Sequence, residues 1–442
     1  MENSKRILER RKQFVPNAIG IFNPSTAVSA SGSIITDADG KEMIDFAGGI
    51  GVVNAGHCPP PVVEAIAKQA ATLIHCSFNV ASYELYMQLA EKLANLFPHG
   101  DHTKVMLTNS GAESVENAIK IARQATGRQA IICYGGAFHG RTMMSMTLTS
   151  KVGYKLGCGP FAPEVYRIPF PDFYRYGNGL SLDEFSDVHL RELEDFFHTN
   201  VPAEQVAAII IEPVQGEGGF NVVPQKYLQG LREVCDKYGI LLILDEVQSG
   251  FGRTGKWAAY QHYDVTPDLS TWAKSMGSGM PIGCVIGKAH IMDSCKPSTI
   301  GGTYPGNPVC CAASIATLDY MEKININALG EKVGEIVRER FNNMKQQYPA
   351  IGDVRGLGAM MAFELVKNKD PFQPDGELCK KLISYCAGHG LIVINAGVNG
   401  NIIRVLSPLV IDEALLHKGL DIIESGLAAL TAKEVKAESY EL

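Results

Sequence analysis

One stretch constrains the chain more than any other: Leu241-Leu242-Ile243-Leu244-Asp245-Glu246-Val247-Gln248. Four aliphatic residues in a row predict a strand covered on both faces, since a strand with one wet face alternates apolar and polar residues. The strand ends in a carboxylate, Asp245. After a loop comes Trp272-Ala273-Lys274-Ser275-Met276-Gly277, with the lysine set before the glycine-rich run Gly277-Ser278-Gly279-Met280-Pro281-Ile282-Gly283. A carboxylate at a strand end and a lysine beside a flexible loop suit a pyridine aldehyde cofactor. The lysine can form a Schiff base, and the acid can keep the ring nitrogen protonated so that the ring accepts electrons.

The neighbouring stretches supply a frame for that strand. Val105-Met106-Leu107-Thr108 reads as a strand, and Asn109-Ser110-Gly111-Ala112-Glu113 opens a helix to about Thr126. Asn109 or Ser110 caps this helix, and Val115, Ala118, Ile119 and Ala122 form its apolar face. Residues 130–134, 207–211 and 240–244 read as further strands, 135–141 as a loop and 227–238 as a helix. Alternating strands and helices mean βαβ units, hence an α/β fold with a mostly parallel sheet. Ligands on such sheets sit at the C-terminal strand ends. Asp245, Glu212 and the turn at Gly111 all fall there. That turn is either a simple capped helix or a phosphate site, because free N–H groups and the helix dipole favour an anion.

The flanks read less sharply. A surface helix is expected over residues 5–13, then strands at 33–36 and 43–46 around a turn. The glycine-dense run 47–57 is either a tight turn or a loop that brings Ile50 close to a ligand. Helices are expected over 62–73 and 82–96. Residues 151–199 read as loop with a helix near 190–197. The run Gly301-Gly302-Thr303-Tyr304-Pro305-Gly306-Asn307-Pro308 is a glycine-rich turn before a helix over 310–321. From residue 324 follow a charged amphipathic helix to 347, strand residues at 354–364, a helix over 378–388, strands at 391–394 and 401–405, and a closing helix over 411–430. Residues 432–442 read as a frayed, charged end. This divides the chain into an N-terminal segment, 1–60, that joins the small domain, a large cofactor-binding domain, 61–323, and a smaller C-terminal α+β domain, 324–442.

At 442 residues the chain is too long for one ordinary core. Its net charge of −7 offers no basic face to nucleic acid, and no apolar run reaches the length that spans a membrane. The charged first twelve residues lack the apolar core of a secretion signal, so a cytoplasmic location is expected. Eleven scattered cysteines without a C-x-x-C pair fit free thiols in a reducing compartment. No histidine pair has the spacing of a zinc motif, so no metal site is expected.

Taken together, these motifs resemble the class III aminotransferases, which use pyridoxal 5′-phosphate on the fold type I architecture. Asn109-Ser110-Gly111-Ala112-Glu113, Phe138-His139-Gly140-Arg141, Ile211-Glu212-Pro213-Val214-Gln215-Gly216-Glu217-Gly218-Gly219, Leu244-Asp245-Glu246-Val247-Gln248, Lys274 and Gly302-Thr303 with Gly306-Asn307-Pro308 occur in the family's order. The resemblance runs from about Phe22 to Leu430. It implies that Lys274 holds the cofactor and shuttles the proton, and that Asp245 pairs with the ring nitrogen. It implies Gly111 and Ala112 at the phosphate, Phe138 and Val247 on the two ring faces, Gln248 at the ring hydroxyl, and Glu212 and His139 in support. In this family Thr303 serves the phosphate site of a neighbouring subunit, which implies a homodimer with shared active sites and leaves a tetramer open.

Substrate choice needs more. An aminotransferase holds two substrates in turn, and an ω-amino donor presents its carboxylate at a different depth from a 2-oxo acid. Two arginines answer this, because a guanidinium binds a carboxylate as a bidentate fork. The resemblance is strongest to 4-aminobutyrate transaminases. There Arg141 would take the distal carboxylate and Arg404 the α-carboxylate of glutamate or 2-oxoglutarate, with Glu217 pairing Arg404 and swinging away in turn. Ile50 would line the substrate pocket. Acetylornithine- or ornithine-type aminotransferases and amino-acid racemases or epimerases share the scaffold. A regulatory protein that binds the cofactor without turnover is disfavoured by the intact Lys274 and Asp245. A nicotinamide enzyme is disfavoured by the spacing after Gly356-Leu357-Gly358. The loop Asn395-Ala396-Gly397-Val398-Asn399-Gly400 departs from the 4-aminobutyrate pattern and bears on the choice of donor.

Overall fold

A computed structural model of the chain describes residues 2–438. At its centre is a seven-stranded sheet. Its spatial order is Thr103–Thr108, Gly283–Lys288, Leu269–Trp272, Leu241–Asp245, Val206–Ile211, Ala130–Tyr134 and Val165–Ile168. Only Gly283–Lys288 runs against its neighbours; the other pairings are parallel. The expected strand through Asp245 lies mid-sheet. Its residues alternate between two cores: Leu242 and Leu244 pack into one, Ile243 into the other. All three are fully buried. Burying each is worth about 1.5–3 kcal/mol, and truncating one to alanine costs about 2–5 kcal/mol with its cavity.

The helix Gly111–Thr126 buries the face expected of it, Val115, Ala118, Ile119 and Ala122. Ser110 caps it by accepting from Glu113 N–H. This is the fold type I arrangement, an α/β layer structure whose parallel strands all end on one edge.

Two smaller sheets flank the large one. Ser29–Ser31, Ile34–Thr36, Glu42–Asp45 and Leu391–Ile392 form one; Ile351–Leu357, Met360–Leu365, Ile402–Val405 and Ile394–Ala396 form the other. The strand expected at 391–394 is therefore two strands in two sheets. Leu391–Ile392 pairs with Ile44 and Asp45, and Ile394–Ala396 pairs with the strand that carries Arg404. A continuous apolar run permits this because both sheets bury it, Val393 included.

Several other expectations need correction. Residues 151–199 are not mostly loop. Val165–Ile168 is the edge strand of the large sheet, and Leu182–Thr199 is an eighteen-residue helix started by a Ser181–Glu184 capping box. The strand is short and carries Tyr166 and Arg167, so no apolar pattern announces it. The helix expected over 62–73 spans Pro60–Ala70, and of its apolar face only Val62 is buried while Val63 stays 47% exposed. The closing helix spans Glu413–Glu438, so it runs through much of the end read as frayed; residues 439–442 lie outside the described residues. Among the described residues no helix is long and apolar enough to cross a membrane. All eleven cysteines are free thiols, seven of them buried.

Candidate active site

The C-terminal strand ends converge on a cavity of about 400 Å³. Eleven of the residues singled out in the sequence line it: Gly111, Ala112, Phe138, His139, Arg141, Glu212, Glu217, Asp245, Val247, Gln248 and Lys274. Each reaches it from the element that ends beside it. Strand Thr103–Thr108 delivers the helix start at Gly111, Ala130–Tyr134 the loop with Phe138 and His139, Val206–Ile211 delivers Glu212, Leu241–Asp245 ends in Asp245, and Leu269–Trp272 leads to Lys274.

Asp245 is fixed from two sides. His139 Nδ1 lies 2.7 Å from its Oδ2, and Val247 N–H donates to Oδ1 at 3.1 Å. Glu212 accepts from the N–H groups of Phe138 and Gly216, which holds the Phe138 loop against the strand end. Burial pushes the Glu212 carboxyl up to about 7; His139 pulls against this and Asp245 adds to it. Burial brings the Lys274 amine down to about 8, with Glu217 opposing and Arg404 reinforcing the shift. Lys274 also holds φ at 49°, a left-handed conformation uncommon for a residue with a side chain and worth about 1–3 kcal/mol of strain.

The start of the helix Gly111–Thr126 forms another wall of the cavity. Its first turn leaves N–H groups without intrahelical acceptors. The helix comes close to the strand end because position 111 has no side chain: a Cβ there would sit 2.9 Å from Val247 Cγ1.

Near Lys274 lies an ion pair. Arg404 is completely buried, and its Nη1 is 2.7 Å from Glu217 Oε1 and 3.3 Å from Gly216 O. Arg404 stands behind Glu217 and does not itself line the cavity. Burial raises the Glu217 carboxyl, yet Arg404, Lys274 and Tyr154 outweigh it and hold the group below the usual range. Arg141 is exposed at the mouth, its guanidinium 5.7 Å from the centre of the Phe138 ring and 4.9 Å from that of Tyr154.

Two expected residues stand apart. Ile50 lies in the tight turn Gly48–Gly51 with φ at 66°, packed against a side cluster that includes Phe220 and Leu406. Thr303 is exposed and outside this cavity. Val52, Met280, Pro281 and Ile282 line the cavity without having been singled out. Tyr154, which donates to Glu217 at 2.9 Å, was also missed, because nothing in the spacing of 151–199 marks it.

These groups fit a ring that carries an aldehyde, a basic nitrogen and a phosphate. The cavity offers an amine of lowered basicity, a buried oriented carboxylate and a helix N-terminus. Among the described residues the buried His139 Nε2 and Gln248 Oε1 lack protein partners.

Residues 22–427 match the family described as class III aminotransferases. A "Probable 4-aminobutyrate aminotransferase" of Bacillus subtilis is 46% identical over 95% of this chain and 97% of its own. A 5-aminovalerate aminotransferase of Pseudomonas aeruginosa is 43% identical over 96% of this chain and 98% of its own. Among solved structures, a pyridoxal-phosphate-bound amine transaminase from an uncultivated Pseudomonas species superposes with a TM-score of 0.87 at 30% identity, covering 94% of this chain and 96% of its own.

Proposed function

The chain belongs to the class III aminotransferases, which depend on pyridoxal 5′-phosphate, and from that premise we propose that it moves the amino group of an ω-amino acid, 4-aminobutyrate first, to 2-oxoglutarate. The donor leaves as an aldehyde and the acceptor as glutamate, in ping-pong order. The observation that carries this reading is the Glu217–Arg404 pair at 2.7 Å, buried beside Lys274 while a second arginine, Arg141, stands at the mouth.

Bound here, pyridoxal 5′-phosphate supplies an electron-accepting ring that stabilises the charge left when the reacting carbon loses its proton. The chain's own residues do the rest. Asp245, oriented by His139, offers its carboxylate to the ring nitrogen. Gly111 and Ala112 offer N–H groups to the phosphate, Phe138 and Val247 cover the ring faces, and Gln248 serves the ring hydroxyl. Glu212 keeps the Phe138 loop in place. Lys274 Nζ anchors the cofactor and, once free, takes and returns the proton at the reacting carbon. An amine near 8 is part neutral at working pH and can therefore act as a base.

Arg141 takes the far carboxylate of the ω-amino donor. Meanwhile Glu217 neutralises Arg404, so no buried cation is left open. For the 2-oxo acid Glu217 swings aside, and Arg404 binds the α-carboxylate as a fork. Val52, which lines the cavity beside the turn that carries Ile50, borders the substrate. The P. aeruginosa relative supports 5-aminovalerate as a second donor, since one extra methylene shifts selectivity by only about 10–200-fold.

Two copies assemble in this reading, with Thr303 of one serving the phosphate end of the other's cavity. In the same reading the chain divides at residues 60 and 323. Its free thiols suit the cytoplasm.

A donor panel tests the proposal: 4-aminobutyrate, 5-aminovalerate, β-alanine, ornithine, N-acetylornithine and a branched α-amino acid, each with 2-oxoglutarate. The two straight-chain ω-amino acids give the highest kcat/KM. Preference for ornithine or its acetyl derivative overturns the donor assignment, and loss of optical rotation without glutamate formation overturns amino transfer.

A further inference from the structure

Tyr154 closes the short turn Val152–Tyr154 at the cavity mouth. Its hydroxyl donates to Glu217 Oε2 at 2.9 Å, while the other oxygen of that carboxylate receives Arg404 at 2.7 Å. The face of the same ring lies 4.9 Å from the Arg141 guanidinium, and the ring meets Phe138 edge-on at 5.1 Å. One side chain thus touches Arg141 directly and Arg404 through its partner.

We propose that Tyr154 is a positioning residue that latches Glu217 over Arg404 and so sets how readily the enzyme admits an α-carboxylate. This rests on the two-arginine reading above. Glu217 has two anchors in the arrangement seen, and both must be given up before Arg404 is free. A hydroxyl donating to a carboxylate is a charge-assisted bond, stronger than a neutral one. Burial, then the charge of Glu217, push the Tyr154 phenol up to about 12, so the proton is present to be donated throughout the working range. The ring acts separately. It supports the Arg141 guanidinium by a cation–π contact, which orients the fork for the distal carboxylate.

Tyr154→Phe separates the two parts, since it removes the hydroxyl and keeps the ring. In single-turnover half-reactions of the holoenzyme, the variant has a KM for 2-oxoglutarate about tenfold lower, the lower end of what one net hydrogen bond to a charged group is worth. The ratio of the two kcat/KM values moves by the same factor toward the 2-oxo acid. Glutarate, a dicarboxylate that cannot react, binds about tenfold tighter by calorimetry. Tyr154→Leu removes the ring as well and raises the KM for 4-aminobutyrate. Equal change in both half-reactions, no change in either, or a higher KM for 2-oxoglutarate in Tyr154→Phe overturns the latch. Glu217→Gln runs beside it. If that variant separates the half-reactions while Tyr154→Phe does not, the latch alone fails. If Glu217→Gln affects both alike, the two-arginine reading fails and the latch falls with it.

Discussion

Lys274 is a cation in a place that disfavours cations. Burial lowers its amine to about 8, against about 10.4 for a lysine in water. Below 8 the ammonium form holds the lone pair and cannot attack a carbonyl; above 8 the neutral amine predominates. Capture of pyridoxal 5′-phosphate by the cofactor-free protein is therefore expected to speed up with pH through a midpoint near 8, followed by the visible absorbance of the adduct. A midpoint near 10 would show an ordinary surface lysine, and Lys274→Ala is expected to lose the band altogether. At this scale the sequence is readable where chemistry demands one residue type. A lone lysine before glycines and an acid ending an apolar strand have few other uses, and the two meet in one cavity. Arg404 and Glu217 carried no such local mark. They are 187 residues apart in the numbering and are joined only by the fold, at 2.7 Å. Tyr154 is the limiting case, an aromatic residue in a stretch with no period, whose value lies in what surrounds it.

The elements that deliver these residues are held together at one small position. Gly283 begins the antiparallel strand and pairs with Thr108. A Cβ there would meet Trp272 O at 2.6 Å and the hydroxyls of Ser114 and Thr108 at 2.8 Å. Those hydroxyls form a small network: Ser114 Oγ lies 2.7 Å from Thr108 Oγ1 and donates to Trp272 O at 3.0 Å. It ties the helix that starts at Gly111 to the strand that leads to Lys274. Gly283→Ala is expected to force these elements apart and cost about 1–3 kcal/mol, read as a lower urea midpoint. Cofactor retention on dialysis should fall with it. A variant with the wild-type midpoint and full retention would mean that the contact is loose. The strand Gly283–Lys288 was itself invisible in the sequence, because two glycines and a lysine in six residues look like the tail of a glycine loop. It is buried because it is clamped between two neighbours, not because its own pattern asks for burial. Leu241–Asp245 was legible for the opposite reason: its pattern alone requires cover on both faces.

At the scale of the molecule, Thr303 is the expected site residue that its own chain leaves exposed and outside the cavity. It lies in a loop packed on the segment after the first helix of the large domain. Asn307 Nδ2 donates to Ile74 O at 2.8 Å, and the Tyr304 ring lies 5.2 Å from that of His75. The joined surface leaves Tyr304 64%, Ile74 61% and Val80 82% exposed. Large apolar side chains clustered on a surface mark contact with another molecule. Under the proposed function a second copy covers this patch, since a two-fold interface presents the same patch from both sides, and Thr303 would then serve the partner's cavity. Complementation tests this. Thr303→Glu sets a carboxylate against the phosphate, and Lys274→Ala removes the anchor; each homodimer should be inactive. In an equal mixture allowed to exchange, half of the dimers are hybrids. Each hybrid holds one site with both lesions and one with neither, so on the order of a quarter of wild-type activity returns. Exchange without recovery would put Thr303 on the same site as the Lys274 of its own chain, and a Thr303→Glu homodimer that stays active would put it on none.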